Sequence, residues 1–385
     1  MPSKNESAIQ SLFRAVAESG EITLSQLVRT LGLKPASLTR VIQPLIKKRL
    51  LTYARGERTI GLNPDFGYVV GIDMGASHLH FAMADFCGGF VKDSTVKVRP
   101  EDGPRKMIRQ IKTAIRELAQ GPARGKLLAI AAGGPSPVDA VRGVVTFANN
   151  LPGWEDIHLA RELEGQFGVP VFVENDANMA AIGEHWRGAA CGLDNFIFIA
   201  LGTGVGSGLF IDGHLYRGRS GAAGELFLVN LDWHDWEKEF PDTGQFEYFV
   251  SGMGIATEGR KALKIPARTE AAGMAAERDA FFVFESFHQG NRKARAVLEK
   301  TFVMLGVGIA NIVGLLDPDL IVLGGGITRG APEFMLATVE QVVHRLQTNP
   351  PPIKLSVLED KAQTYGAICS ALGVARQAIV QRLPA

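Results

Sequence analysis

The chain has 385 residues, a formal net charge of +1, 46% apolar and 21% charged residues, which describes an ordinary globular protein of two or three domains. Cys87, Cys191 and Cys369 are too few and too far apart for a disulfide framework, and no uninterrupted apolar run reaches the roughly 20 residues that span a bilayer. The opening Met-Pro-Ser-Lys-Asn-Glu lacks a secretory leader, so a soluble cytoplasmic protein with reduced thiols and no membrane partner is expected.

Charge is uneven. Residues 1–62 carry +6, leaving −5 on the rest. A basic segment on an acidic body fits a nucleic-acid-binding module, though on charge alone a solvated basic surface fits as well. The local pattern breaks the tie. Ile9, Leu12, Phe13 and Val16 recur at helical spacing. Thr23 and Gln26 form a capping-box pair ahead of Leu27, Val28 and Leu31, and Gly32 supplies a turn. Pro35 opens a third helix at the position where its missing N–H matters least, and Leu38, Val41, Ile42, Leu45 and Ile46 give that helix a buried face. Lys34, Ser37, Thr39 and Arg40 lie at its N-terminal end, where a recognition helix meets base edges and phosphates. Pro44 should bend it. Residues 52–62, with Arg55 and Arg58 at the tip, read as a two-stranded wing. Residues 1–64 are therefore expected to form an all-α winged helix-turn-helix domain that binds operator DNA, in preference to a structural three-helix bundle.

Asn63-Pro64-Asp65 marks the junction. Beyond it, residues 68–73, 79–85 and 90–98 read as strands, 104–119 as a helix, and 127–131 and 169–174 as buried strands. A second series begins at Phe196: a strand, a glycine-rich turn, a strand to Ile211, an Asp212-Gly213 hairpin signal, helices, and a strand at 320–323. The apolar stretch 297–316 reads as a buried helix packed on a sheet, because charged residues crowd its start. Strands then helices, run through twice, predict an α/β fold of two similar lobes with a cleft between them. The domain spans residues 65–385: a first lobe at about 65–178 plus a C-terminal helix at about 363–385, and a second lobe at about 179–362.

Three glycine-rich turns each leave an apolar strand: Asp73-Met-Gly-Ala-Ser77, Leu-Gly-Thr-Gly-Val-Gly-Ser-Gly at 201–208, and Gly324-Gly-Gly326. With no Cβ in the way, such turns let backbone N–H groups approach a phosphate, and three in this order suggest a nucleoside triphosphate site. The alternative is that the glycines persist only as tight turns.

These turns are accompanied by Gly133-Gly-Pro-Ser-Pro-Val138, Asn149-Asn-Leu-Pro-Gly-Trp154, Glu174-Asn-Asp-Ala-Asn178, Gly221-Ala-Ala-Gly-Glu225 and Asp317-Pro-Asp-Leu-Ile-Val-Leu-Gly-Gly-Gly326. Together they make the chain from Gly67 to about Gln381 resemble the ROK family (repressors, open reading frames and sugar kinases), which has the duplicated two-lobe, actin-like ATPase (ribonuclease H-like) fold. The N-terminal module fits the repressor branch. The resemblance implies Asp176 as general base toward a sugar hydroxyl, with Asn175, Glu225 and Glu247 bonding other hydroxyls and Gly134 and Asn149 at the rim. Asn175-Asp176 also reads as a helix N-cap, and both roles can hold at once. Asp73, Gly75 and Ser77 on one lobe and Gly202, Thr203 and Gly204 on the other would hold the phosphates of Mg-ATP, with Asp73 near the magnesium. Gly324, Gly325 and Gly326 would lie beside the adenosine.

The chain departs from the family at a structural zinc site built from a histidine and three cysteines. Leu228 stands at the histidine position, Gln245 at the last cysteine, and no cysteine lies between Cys191 and Cys369, so zinc is not expected. His234 with Asp235 or Glu237 could hold some metal, but a solvated loop is the expectation. Trp233, Trp236 and Phe240 are expected to replace the metal by apolar packing. Ser77 and His78 replace a family threonine and lysine.

The function implied is a sugar-responsive transcriptional repressor binding a hexose, amino sugar or sugar phosphate in the interlobe cleft. It would be a homodimer or higher homo-oligomer, because two recognition helices on a palindrome need two-fold symmetry. The alternative is an ATP-dependent sugar kinase, of glucokinase or N-acetylhexosamine kinase type, that retains a DNA-binding module. Asp176 and every phosphate glycine are in place for it.

Overall fold

A capping box opens the first helix. Ser7 Oγ accepts from the Gln10 N–H at 3.3 Å, and Gln10 Oε1 accepts from the Ser7 N–H at 3.1 Å. This computed structural model describes residues 7–54, 58–75, 77–120, 125–134, 137–147, 151–240, 244–265 and 272–384. They divide into two compact units, Met1–Glu174 with Ala367–Ala385, and Asn175–Gly366.

The first unit starts with α1 (Ala8–Ser19), β1 (Glu21–Thr23), α2 (Leu24–Leu31), α3 (Pro35–Lys47), β2 (Leu51–Ala54) and β3 (Thr59–Leu62). Thr23 and Gln26 form the expected capping box, and Gly32 ends α2 in the left-handed region at φ 62°. Leu12, Phe13, Val16, Leu27, Leu38, Ile42 and Leu45 are buried. The all-α description needs correction, whereas the two strands expected over 52–62 are present as the antiparallel pair β2 and β3. The three strands form one antiparallel sheet in the order β1-β3-β2. The three residues Glu21–Thr23, the last of them the α2 cap, are too few to show a strand's alternation. Helix α3 runs on through Pro44, whose carbonyl accepts from the Lys48 N–H at 3.1 Å. Pro44 itself has no N–H to donate to the helix.

Next come β4 (Gly67–Met74), β5 (His78–Asp85), β6 (Phe90–Lys97), α4 (Gly103–Ala119) and β7 (Lys126–Gly134). They are followed by β8 (Val138–Asp139), β9 (Val144–Phe147), β10 (Glu155–Ile157), α5 (Leu159–Phe167) and β11 (Val171–Asn175). The main sheet has the order β11-β7-β4-β5-β6, and β8–β10 form a small separate sheet that was not expected from sequence. Val70, Ile72, Phe81, Ile111, Ile115 and Trp154 lie in the core between sheet and helices.

The second unit repeats this plan with α6 (Asp176–Arg187), β12 (Phe196–Leu201), β13 (Val205–Ile211) and β14 (His214–Leu215). It continues through α7 (Gln245–Val250), α8 (Gly252–Leu263), α9 (Ala272–His288), α10 (Arg292–Leu316), β15 (Leu320–Gly324), α11 (Pro332–Leu346) and β16 (Ile353–Leu355). Its sheet has the order β14-β13-β12-β15-β16. In each sheet a strand forms a hairpin with its successor and pairs in parallel with a later strand: β4 with β5 and β7, β12 with β13 and β15. Among the described residues α10 alone is long and apolar enough to cross a membrane, yet Leu298, Phe302, Leu305 and Ile309 are buried in this unit's core.

Helix α12 (Ala362–Arg382) returns the chain to the first unit and seats its N-terminal elements. Gln10 Nε2 donates to the Val380 carbonyl at 3.2 Å and Ser7 Oγ to the Pro384 carbonyl at 2.7 Å. Arg376 donates to the carbonyls of Ala17 at 3.4 Å and Phe86 at 3.2 Å. Phe86, in the β5–β6 turn, lies 6.4 Å from the Phe13 ring and 5.2 Å from Phe66. Burial pulls the Arg376 guanidinium below its ordinary pKa and pushes the Cys87 thiol up to about 11, so Cys87 keeps its proton and donates to the Leu62 carbonyl at 3.3 Å. Replacing Arg376 with alanine leaves two carbonyls unpaired. The expected loss is about 1–3 kcal/mol of unfolding free energy, read as a lower urea midpoint at unchanged m value.

Candidate functional site

Strand β13 organises the second unit's site, because its alternate residues serve opposite faces. Only Gly202 and Gly204 of the 201–208 glycines belong to the turn. Gly206 and Gly208 lie in the strand, where an added Cβ would stand 2.9 Å from the Ala177 Cβ and 2.5 Å from the Ala181 Cβ. These two glycines let α6 lie against the strand. On the other face, Ser207 Oγ donates to the Gly224 carbonyl at 2.6 Å, and Gly224 takes φ 88° where a Cβ would meet the Ser207 backbone. Glu225 follows directly, half-buried.

Seating α6 fixes its first turn. Asn175 is the N-cap, its Oδ1 accepting from the Asn178 N–H at 3.0 Å. Asp176 is the first helical residue, and its Oδ1 accepts from the Ala177 N–H at 2.7 Å. Desolvation raises its pKa from the ordinary 3.8 and outweighs that bond, although the residue keeps some exposed surface. Glu247, on α7, reaches the glycine turn itself: its Oε2 accepts from the Val205 N–H at 2.7 Å. Burial raises this carboxyl's pKa too. The turn's carbonyls face the next helix, Gly202 accepting from the Gly252 N–H at 2.9 Å and Thr203 from the Met253 N–H at 3.3 Å.

The third glycine segment borders a cavity of about 290 Å³ lined by Gly324, Gly325, Thr328, Arg329, Leu355 and Ser356. Gly325 has φ 94°, and a Cβ there would strike the Leu201 carbonyl; Gly326 is exposed. Behind the cavity Glu184, 0% exposed, accepts from Ser356 Oγ and from the Ala189 N–H at 2.7 Å. Ser356 Oγ in turn accepts from the N–H groups of Leu358 at 3.2 Å and Glu359 at 3.1 Å. Sequence reading missed Ser207, Glu184 and Ser356. A glutamate among Ala177, Ala180, Ala181 and Gly183 was the one available signal.

Asp73, Gly75, Ser77 and Gly134 belong to the first unit. Asp73 is half-buried at the end of β4, cross-strand from His80. The Gly75 N–H donates to the His78 carbonyl at 2.9 Å, and exposed Ser77 pairs its Oγ with His78 Nδ1 at 2.8 Å. Gly134 ends β7 under Val145. Lys34, Thr39, Arg40 and Arg58 are exposed, Ser37 is half-buried, and Thr39 Oγ1 donates to the Pro35 carbonyl at 3.2 Å. Asn149 and Arg55 lie outside the described residues.

The expected apolar replacement for zinc is corrected. Trp233 and Trp236 are 76% and 72% exposed, and Leu228 is 64% exposed. Only Phe240 packs inward, against Tyr248 and Phe249. Buried Gln245 ties the loop instead. Its Oε1 accepts from the Leu231 N–H and its Nε2 donates to Asp235 at 3.3 Å. A side chain that both donates and accepts fits a loop offering one N–H and one carboxylate, which the pattern of apolar residues could not reveal. These donors do not fit zinc. Asp235 also engages Lys238, His234 pairs with Asp232, and among the described residues no three His, Cys, Asp or Glu side chains converge.

Two outcomes are expected. Gln245→Ala lowers stability by about 1–3 kcal/mol in a denaturant titration, while EDTA leaves the wild-type midpoint unchanged. Asp176→Asn raises the thermal midpoint at pH 7. The sign follows from a folded-state pKa above the unfolded one: the native state prefers the protonated acid, and stability is lost as pH rises from 3.8 through the raised value. The difference from wild type therefore closes as pH falls toward 3.8.

Residues 69–374 match the model of the ROK family. The chain is 25% identical over 373 residues to a putative xylose repressor of Caldicellulosiruptor sp. (strain Rt8B.4), covering 93% of each. It is 30% identical over 278 residues to a glucokinase of Thermotoga maritima, covering 71% of this chain and 86% of the enzyme. The crystal structure of a ROK family transcriptional regulator, a homolog of the E. coli MLC protein, superposes with a TM-score of 0.81 at 21% identity, over 97% of this chain and 98% of that one. With four-fifths of its length inside the family model and the same sheet plan repeated around glycine turns, the chain belongs to the ROK family.

Proposed function

We propose that the chain is a sugar-responsive transcriptional repressor acting in the cytoplasm. Residues 1–64 form a winged helix-turn-helix that binds operator DNA as a homodimer, and residues 65–385 bind a hexose or amino sugar that sets DNA affinity. The observation that carries this reading is the basic, exposed N-terminal end of α3. Lys34, Thr39 and Arg40 are all solvent-facing on a segment of net charge +6. Similarity to the repressor extends over 93% of the chain, against 71% for the glucokinase. Cationic side chains displace counterions from the DNA backbone, and residues on the helix's first turns reach base edges.

The sugar is held by the amide of Asn175 and the carboxylates of Asp176, Glu225 and Glu247, which accept hydrogen bonds from its hydroxyls. A sugar bound better by one of two states shifts the population toward it and changes operator occupancy. A second reading, ATP-dependent sugar kinase, is favoured by one observation: the cavity of about 290 Å³ beside Gly324 and Gly325. Mg-ATP would be the co-substrate. Asp176, desolvated and raised in pKa, takes the proton from the sugar hydroxyl as that oxygen attacks the γ-phosphate.

Operator fragments selected from genomic DNA test the first reading by fluorescence anisotropy. Arg40→Ala weakens binding about tenfold or more and flattens the slope of log K against log salt by about one, while Asp176→Asn leaves DNA affinity unchanged. Binding that ignores both salt and Arg40 refutes it. ADP release with D-glucose, D-xylose or N-acetyl-D-glucosamine that disappears in Asp176→Asn establishes the second reading.

A further inference from the structure

The Gly202–Gly204 turn is held by a carboxylate that the sugar reading also uses. Glu247 Oε2 accepts from the Val205 N–H at 2.7 Å. It also stands 2.5 Å from where a Cβ on Gly204 would be. A Cβ at 204 would therefore push that carboxylate away from the Val205 N–H. At Gly202 an added Cβ meets nothing within 4 Å, so these two glycines answer to different constraints. From the other side, α8 donates the Gly252 and Met253 N–H groups to the carbonyls of Gly202 and Thr203. The turn is thus gripped by α7 and α8 together, with Glu247 contributing its side chain and α8 its backbone.

We propose that Glu247 is a positioning residue that couples sugar occupancy to the phosphate turn: its carboxylate holds the turn through the Val205 N–H, and a sugar hydroxyl that bonds the same carboxylate loosens that hold. This rests on the sugar reading given under Proposed function. An acceptor oxygen shared between two donors bonds each more weakly than one donor alone, and a charged acceptor makes the stronger bond to begin with. The turn's readiness for a phosphate anion then depends on what the sugar site contains. The amide of Val205 reports the state of the hold directly, whether or not any nucleotide binds.

Hydrogen–deuterium exchange of the full chain, followed on peptides covering residues 201–208, tests this. In Glu247→Ala without sugar, exchange of the turn is expected to accelerate about tenfold, with α10 peptides unchanged. Glu247→Gln keeps an oxygen acceptor and restores protection to within about twofold of wild type. D-Glucose or D-xylose, at concentrations that raise the wild-type thermal midpoint, accelerates turn exchange in wild type and leaves it unaltered in Glu247→Ala. Unchanged turn exchange in Glu247→Ala, or equal acceleration in turn and α10, overturns the hold. Turn exchange in wild type that ignores a bound sugar overturns the coupling. A midpoint that neither sugar raises refutes the sugar reading, and with it the coupling; the sugar-free comparison still decides whether Glu247 holds the turn.

Discussion

The close approach of α6 to β13 is the constraint on which the second unit's site depends. Two glycines one residue apart on the strand remove the side chains that would hold the helix off, and Ala177 and Ala181 complete the contact from the helix side. Had either strand glycine carried a methyl group, the helix would have to shift, and Asn175 and Asp176 at its start would shift with it. Ser207, between those glycines, turns the opposite way and binds the loop before Glu225. One strand thereby fixes a helix start on one face and an acidic turn on the other.

Among this unit's described residues, three carboxyl groups are pushed up in pKa by desolvation: Asp176, Glu184 and Glu247. All three also accept backbone N–H bonds, which oppose the shift. Burial wins in each case. They divide by role: Glu184 is sealed behind the cavity and orients Ser356, whereas Asp176 and Glu247 keep some exposure. Desolvated carboxyls gathered in one unit are what an acid–base or hydroxyl-binding site needs, since a dry carboxylate accepts a hydrogen bond more strongly than a hydrated one.

Sequence patterns revealed the parts that rest on local chemistry. The Thr23–Gln26 cap, Gly32, Pro35 at the start of α3, the two hairpins and Asn175 as N-cap each follow from the identity of residues within a few positions of one another. What escaped depends on partners far apart in the chain. Gln245 bonds a loop backbone 14 residues away, Ser356 meets a glutamate 172 residues earlier, and β1 is a strand only because β3 lies beside it. The glycine run 201–208 was legible as a motif but not as two devices. Which glycines turn the chain and which admit a helix emerges only once α6 is in place.

The seat of the N-terminal elements has a consequence in time. Gln10 is anchored to a carbonyl 370 residues further along the chain, and Ala17 to a guanidinium 359 residues further. At translation rates of about 5–20 residues per second, roughly 20–70 s pass between the synthesis of α1 and that of its anchors. A nascent chain on the ribosome therefore displays its N-terminal helices for that interval with the Phe13–Phe86 and Cys87–Leu62 contacts available but without the bonds that α12 supplies. Helix α1 receives those anchors only when α12 emerges.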